Sequence, residues 1–130
     1  MDANYTFRVR FRIEPTVPFV SLESGSAETT VTLFRDAPEP GTEGWLFFRN
    51  TLWRGEVSDE EYGRQLAAEW LGVPERTVEA VDFRELQTDE GYLEALESEI
   101  AADLELFKAD SVSEVLSKYL GSSIRVTDSS

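Results

Sequence analysis

Cysteine and histidine are both absent from this 130-residue chain, and methionine occurs once. No disulfide can form, and there is no thiolate nucleophile, no imidazole base and none of the usual ligands of zinc, copper or haem. Any catalysis would have to run on carboxylates, hydroxyls, Lys, Arg or Tyr. Lysine is nearly missing too, confined to Lys108 and Lys118. No apolar run approaches the ~20 residues that a membrane span needs, and the polar residues after Met1 form no signal-peptide core. A cytoplasmic protein without membrane contact is expected.

What is abundant is acid. Twenty-six Asp and Glu face twelve Lys and Arg, a formal net charge of −14, well beyond the magnitude of ~2 to 8 that suffices for solubility. Such a surplus repels itself unless salt screens it, and at ~1 M salt the Debye length is only ~3 Å. The acids are spread along the chain and ten of the twelve bases are Arg, so a salt-rich cytoplasm accounts for the charge better than an acidic disordered tail. The two halves differ: residues 1–57 hold eight acids and six bases, whereas 58–130 hold eighteen acids and six bases.

With 41% hydrophobic and 12% aromatic residues, the chain can bury the core of one domain spanning 1–130. Over 5–13, Phe7, Val9, Phe11 and Ile13 alternate with Thr6, Arg8, Arg10 and Arg12, which predicts a strand with one apolar and one cationic face. Pro15, Pro18 and the "SLESGSAE" stretch break the pattern. A second strand is expected over 29–35, with Val31 and Leu33 on one side, then a turn over 37–44 and a third strand over 45–54. That third strand would set Leu46, Phe48, Asn50, Leu52 and Arg54 on one face against Trp45, Phe47, Arg49, Thr51 and Trp53 on the other.

Gly55 allows a sharp change of direction, and Ser58 with Glu61 forms a capping-box pattern that opens a helix over 59–71, with Leu66, Ala67, Trp70 and Leu71 as its buried stripe. A fourth strand is expected over 77–87, though Val78, Val81 and Phe83 are unevenly spaced. Thr88 would then cap a helix running to 108 whose core stripe is Leu93, Leu96, Ile100, Leu104 and Phe107. Ser111 with Glu114 repeats the capping-box pattern for a short helix ending at Gly121, and 124–127 suits a last edge strand. Together these give an α+β fold: a mainly antiparallel sheet of 4–5 strands with two or three helices packed on one face.

The Leu52, Trp53, Arg54 triplet, set in a small acidic chain without His or Cys, resembles the haloarchaeal LWR-salt protein family. The resemblance implies an extreme halophile's cytoplasm and carries over no cofactor and no catalytic residue.

Three groups of residues have chemistry to offer. Arg8, Arg10 and Arg12 on the first expected strand, with Trp45, Phe47, Arg49 and Trp53 on the third and Arg54 at its end, would mix cations with flat aromatic surfaces, a combination that binds anionic rings or a partner protein. The alternative is that helices or a second subunit cover this face, with Arg stems lying on the indoles. Phosphate binding weakens steeply with salt, so nucleic acid is disfavoured. The carboxylates Glu90, Glu94, Glu97, Glu99 and Asp103 could hold a hard cation or serve as an acid, but they fall on the solvent side of an amphipathic helix. Ser24, Ser26, Thr29, Thr30 and Thr32 lack an activating histidine, and no phosphate-loop spacing surrounds them. The expectation is therefore a non-enzymatic interaction or assembly protein without cofactor or metal, meeting a protein partner or itself through the Arg/Trp sheet face. A small-anion or nucleotide module on the same face comes second and a carboxylate enzyme third.

Overall fold

The first strand, β1 (Ala3–Ile13), forms where the alternation places it: Tyr5, Phe7 and Val9 are buried while Arg8 and Arg10 are exposed. In this computed structural model, which describes residues 2–13 and 27–127, β1 is flanked on one side by β2 (Ala27–Asp36). The two pair antiparallel in unbroken register from Asn4 opposite Asp36 to Ile13 opposite Ala27. Pro15, Pro18, Ser24, Ser26 and most of the expected 21–28 loop lie outside the described residues.

Between residues 45 and 54 the expected strand is replaced by a short helix, α1 (Phe47–Thr51), leaving only Leu52–Trp53 as strand β3. Phe48, Thr51 and Leu52 are the buried positions. Their spacing of i, i+3 and i+4 is that of one helix face, so a segment apolar at both strand parities satisfies its core by helical rotation instead. β3 pairs with β4 (Glu56–Val57) as a two-residue hairpin, Leu52 opposite Val57 and Trp53 opposite Glu56.

The helix α2 (Glu60–Leu71) is capped by Asp59, whose carboxylate accepts from the Tyr62 amide, one residue later than the Ser58 box predicts. Ser58 Oγ donates instead to the Thr51 carbonyl at 3.1 Å. Gly63 of α2 lies so close to β4 that a Cβ there would stand 2.8 Å from Val57 Cγ1, which requires glycine at this contact. After a 3-10 turn over Glu75–Thr77 comes β5 (Val78–Thr88), antiparallel to β1 with two register shifts. Val78 lies opposite Phe11 and Ala80 opposite Arg10, leaving Glu79 as an extra residue; Phe83 and Glu85 similarly bracket Arg84. These bulges account for the uneven apolar spacing over 78–86.

Asp89, not Thr88, caps α3 (Glu90–Ala102). The long helix expected to reach 108 stops at Asp103, and Leu104–Phe107 form a 3-10 turn ending at Lys108, with φ +52°. The stripe expected along it is kept in part: Leu96, Ile100 and Phe107 are fully buried, while Leu93 and Leu104 are half-buried. α4 (Val112–Leu120) starts at Ser111, whose hydroxyl accepts from the Glu114 amide, and ends at Gly121. The chain then forms β6 (Ile124–Val126), which pairs with β5 in parallel.

The main sheet therefore has the order β2-β1-β5-β6 and is mixed rather than antiparallel, with four helices among the described residues. The connection from β5 to β6 runs through two helices, and a helical crossover returns the chain in the same direction, whereas a tight turn would reverse it. One junction of this sheet is heavily bonded. The Asp2 amide donates to Asp89 Oδ2 at 2.9 Å, the Asp89 amide to the Asp2 carbonyl at 3.0 Å, and the Thr127 amide to the Thr88 carbonyl at 2.7 Å. The largest buried cluster joins Tyr5, Phe7 and Leu86 of the sheet to Phe48, Leu96, Ile100, Phe107 and Leu120.

Candidate functional site

The residues expected to form one Arg/Trp face are found in separate places. Arg8 and Arg10 remain on the exposed side of β1, and among the described residues neither makes a hydrogen bond or ion pair. Arg8 lies opposite Thr32 on β2 and Asp82 on β5, and Arg10 opposite Thr30 and Ala80. Arg12 is engaged: its Nε is 2.8 Å from Glu79 Oε1, and its Nη2 donates to the Arg76 carbonyl at 2.8 Å. Beyond Thr6, the opposite residue on β2 is Phe34, which is 60% exposed. The sheet's exposed side thus combines two uncommitted guanidinium groups with one bare phenyl ring.

Trp45 and Arg49 do not reach that surface. Trp45 packs against Phe48 and Phe107 with ring centroids 6.2 and 6.1 Å away, so its indole belongs to the edge of the core. Arg49 is half-buried on α1, with Nη1 3.4 Å from Asn50 Oδ1. Trp45 precedes α1 and Arg49 lies within it, so neither belongs to a strand beside β1.

Trp53 and Arg54 build a second site at the hairpin tip. Leu52, the first residue of the triplet, is 1% exposed and anchors the hairpin in the core, while Trp53 beside it is 45% exposed. The two turn residues, Arg54 and Gly55, both have positive φ, +53° and +81°, as a two-residue turn between right-twisted strands demands. Arginine is a poor choice for that conformation because its Cβ crowds the following carbonyl, at a cost of ~1–2 kcal/mol. Tertiary bonds hold it there: the Arg54 amide donates to the Lys118 carbonyl at 2.8 Å and the Gly55 amide to the Tyr119 carbonyl at 3.0 Å. Gly121 permits the approach, since a Cβ on it would lie 3.1 Å from the Arg54 carbonyl oxygen.

Docking the hairpin on α4 brings in groups that the sequence did not single out. Tyr119 meets the Trp53 indole edge-on at 5.9 Å. The Lys118 ammonium lies 5.9 Å from the indole centre and the Arg54 guanidinium 5.8 Å. Lys118 Nζ also donates to the Phe107 carbonyl at 2.8 Å, which fixes its position. Trp53, Arg54, Ser117, Lys118 and Glu114 line an open depression at this tip. Lys118 looks in the sequence like any cation in the last turn of a helix, so nothing marks its pairing with a tryptophan 65 positions earlier.

A third feature is a groove of about 300 Å³ between β2, α1 and α2, lined by Tyr5, Arg35, Phe47, Tyr62 and Trp70 among others. It sits at the low end of ligand-pocket size. The Arg35 guanidinium lies over the Trp70 ring at 5.0 Å. Burial pushes the Tyr5 phenol well above its ordinary pKa, and it pushes Tyr92, whose hydroxyl donates to the Pro38 carbonyl, up to about 12. Both phenols are therefore neutral in ordinary conditions and poorly suited as bases. Glu90, Glu94, Glu97, Glu99 and Asp103 are exposed, and among the described residues no three acids gather closely enough to hold a metal ion. Among the same residues no helix is long and apolar enough to cross a membrane.

Comparison with known proteins places the whole chain in one group: residues 1–130 match the family described as LWR-salt protein. Neither the search of curated proteins nor that of solved structures finds a match.

Proposed function

We propose that this chain, which belongs to the LWR-salt protein family, is a non-enzymatic interaction protein of a salt-rich cytoplasm that docks an acidic protein surface on the exposed side of its sheet. The observation that carries this is the state of Arg8 and Arg10. In a chain with 26 acids and 12 bases, both stand exposed without an ion pair among the described residues. Asp82 lies opposite Arg8 on β5 without forming an ion pair with it, and Arg10 faces only Thr30 and Ala80, so two guanidinium groups roughly 7 Å apart on one strand face keep their donors for a partner's carboxylates. A guanidinium receives a carboxylate through two parallel hydrogen bonds, a geometry that keeps its value when salt screens long-range attraction. Phe34 would supply the apolar anchor beside them.

Docking in this way places the helices on the opposite side of the sheet. In support, Tyr5 and Phe7, which alternate with the arginines, share their buried cluster with residues of α1, α3 and α4. Nucleic acid suits the surface poorly, because its affinity depends on counterion release that molar salt removes.

The test is the pair Arg8→Ser and Arg10→Ser, used as bait against lysate of the source cells at molar KCl. The melting temperature should stay within a degree or two of the parent's, because neither side chain has a bond to lose, while capture of the acidic partner drops at least tenfold. Unaltered capture by a folded double variant would refute the docking role, and collapse of the fold would show that the arginines are structural.

A second function is favoured by the hairpin tip, where two cations flank an exposed indole. That arrangement suits a small planar anion stacked on Trp53. Titration with a nucleoside monophosphate at molar KCl should quench indole fluorescence in the parent protein and not in Trp53→Phe; equal quenching in both would remove the tip from consideration.

A further inference from the structure

The two edges of the main sheet are unlike. On one side β6 is three residues long and covers only Leu86–Thr88 of β5, with its Arg125 tied to Glu85 at 3.2 Å, while the rest of that edge, Val78–Glu85, is broken by two bulges against β1 and carries Glu79, Asp82, Arg84 and Glu85. β2 is ten residues long and carries no proline, no lysine and no bulge against β1. Natural sheets blunt their edges with such devices, because a strand with one unpaired side offers a row of amides and carbonyls to any other strand. Among the described residues, 28–36 make no backbone hydrogen bond beyond the ladder with β1. The middle of β2, "TTVTLF" over 29–34, is uncharged and rich in residues that favour pleated backbone. Val31 and Leu33 reach the buried clusters but remain only half-buried, as they would if part of their cover were still to come.

We infer that β2 pairs antiparallel with β2 of a second copy, joining two four-stranded sheets into one of eight. Charge selects a second copy. Two chains of net −14 can approach only where acid is sparse, and residues 1–57 carry a net of −2 against −12 for 58–130. β2 itself carries Glu28, Arg35 and Asp36, a net of −1. A two-fold axis perpendicular to the sheet is the operation that pairs a strand with itself antiparallel. It keeps each face on its own side, so Thr30, Thr32 and Phe34 of both copies lie on the same surface as Arg8 and Arg10 of both. The contact uses the sheet's edge rather than its face and stands whether or not the arginines find a partner. Because both copies are acidic, the pairing strengthens as salt rises.

The absence of cysteine allows a direct test, since each single-cysteine variant carries one nitroxide label per chain. Labels at Thr30→Cys, Thr32→Cys and Phe34→Cys, with Glu97→Cys as a helix control, are compared by dipolar distance measurement at molar KCl, alongside light scattering of the unlabelled chain. Scattering should give twice the chain mass at high salt and a smaller value at low salt. The label distances should step, because a shift of two residues moves both copies and changes the separation along the strand by about 14 Å. The Glu97 label should give the longest distance. A single-chain mass at millimolar protein concentration overturns the inference, as does a dimer whose strand distances do not step or whose shortest distance is at Glu97. Arg8→Ser with Arg10→Ser should leave both mass and distances unchanged, so loss of face docking and loss of edge pairing are read separately. A dimer that disappears with the arginines would assign the contact to the face and overturn edge pairing.

Discussion

Leu52, Trp53 and Arg54 are consecutive in the chain yet meet three different environments. Leu52 is closed in the core, so Leu52→Ala should cost about 2–5 kcal/mol in denaturant unfolding at high salt. Trp53 has its Tyr119 edge contact, two exposed cation contacts and partial cover to lose, and Trp53→Ala should cost about 1 kcal/mol in the same measurement. Equal losses at the two positions would mean that the indole is as buried as the leucine. Arg54 is held in a left-handed conformation that asparagine adopts more readily. Arg54→Asn is therefore expected to gain about 0.5–1 kcal/mol while removing one of the two cations beside the indole. A protein stabilised by that change, but weakened in anion quenching, would show strain kept for the sake of a charge.

At the scale of the element, the N-caps of α2, α3 and α4 were legible to within one residue, whereas the helix expected to reach 108 ends at Ala102. Asp59 and Asp89 cap where Ser58 and Thr88 were expected, because the carboxylate one position later reaches the N3 amide just as well. β1 was legible because its sequence alternation is strict and its middle follows it, Phe7 and Val9 buried against exposed Arg8 and Arg10, although Thr6 is buried and Ile13 exposed against the pattern. Residues 45–54 were not, since apolar residues of both parities fit a strand and a helical turn alike until the core chooses. β5 was blurred by bulges that only its pairing with β1 reveals. Of the candidate site, Arg8 and Arg10 could be read from alternation. Lys118, Tyr119, Arg35 and Trp70 reach their partners through packing across at least 35 positions, which no local pattern records.

The Asp89 cap also carries a pH dependence. Amide donation from Tyr92 and from Asp2 holds its carboxyl below its ordinary value. A depressed carboxyl contributes stability above its unfolded pKa of ~3.9, and that contribution is lost as pH falls through the folded value. Comparing acid melting of the parent with Asp89→Asn should show the two curves converging below pH ~4 and separating above it, with the variant less stable. Parallel curves would remove the cap from the acid response.

For the molecule as a whole, charge is the dominant condition. With 26 acids and 12 bases, few pairs are close: Arg12 with Glu79, Arg64 with Glu60 and Arg125 with Glu85 among the described residues. Most of the acid surface is thus balanced by solvent ions alone. The melting temperature should fall steeply as KCl drops from molar to tens of millimolar, as the screening length grows from ~3 Å toward ~30 Å. A melting temperature independent of KCl would separate the acidic surface from any adaptation to salt.

The junction at Thr88 and Asp89 sets how the chain's order relates to its shape. Ala3 and Val126 are each paired with Thr88, one on either side of β5, so they lie two strand spacings apart, about 10 Å. A short linker could join residue 127 to residue 2 while the backbone is opened at the exposed 38–44 turn, and every strand pairing would survive. The fold is in effect a ring, and circular permutation would give the same molecule with β2 at its end rather than in its interior sequence.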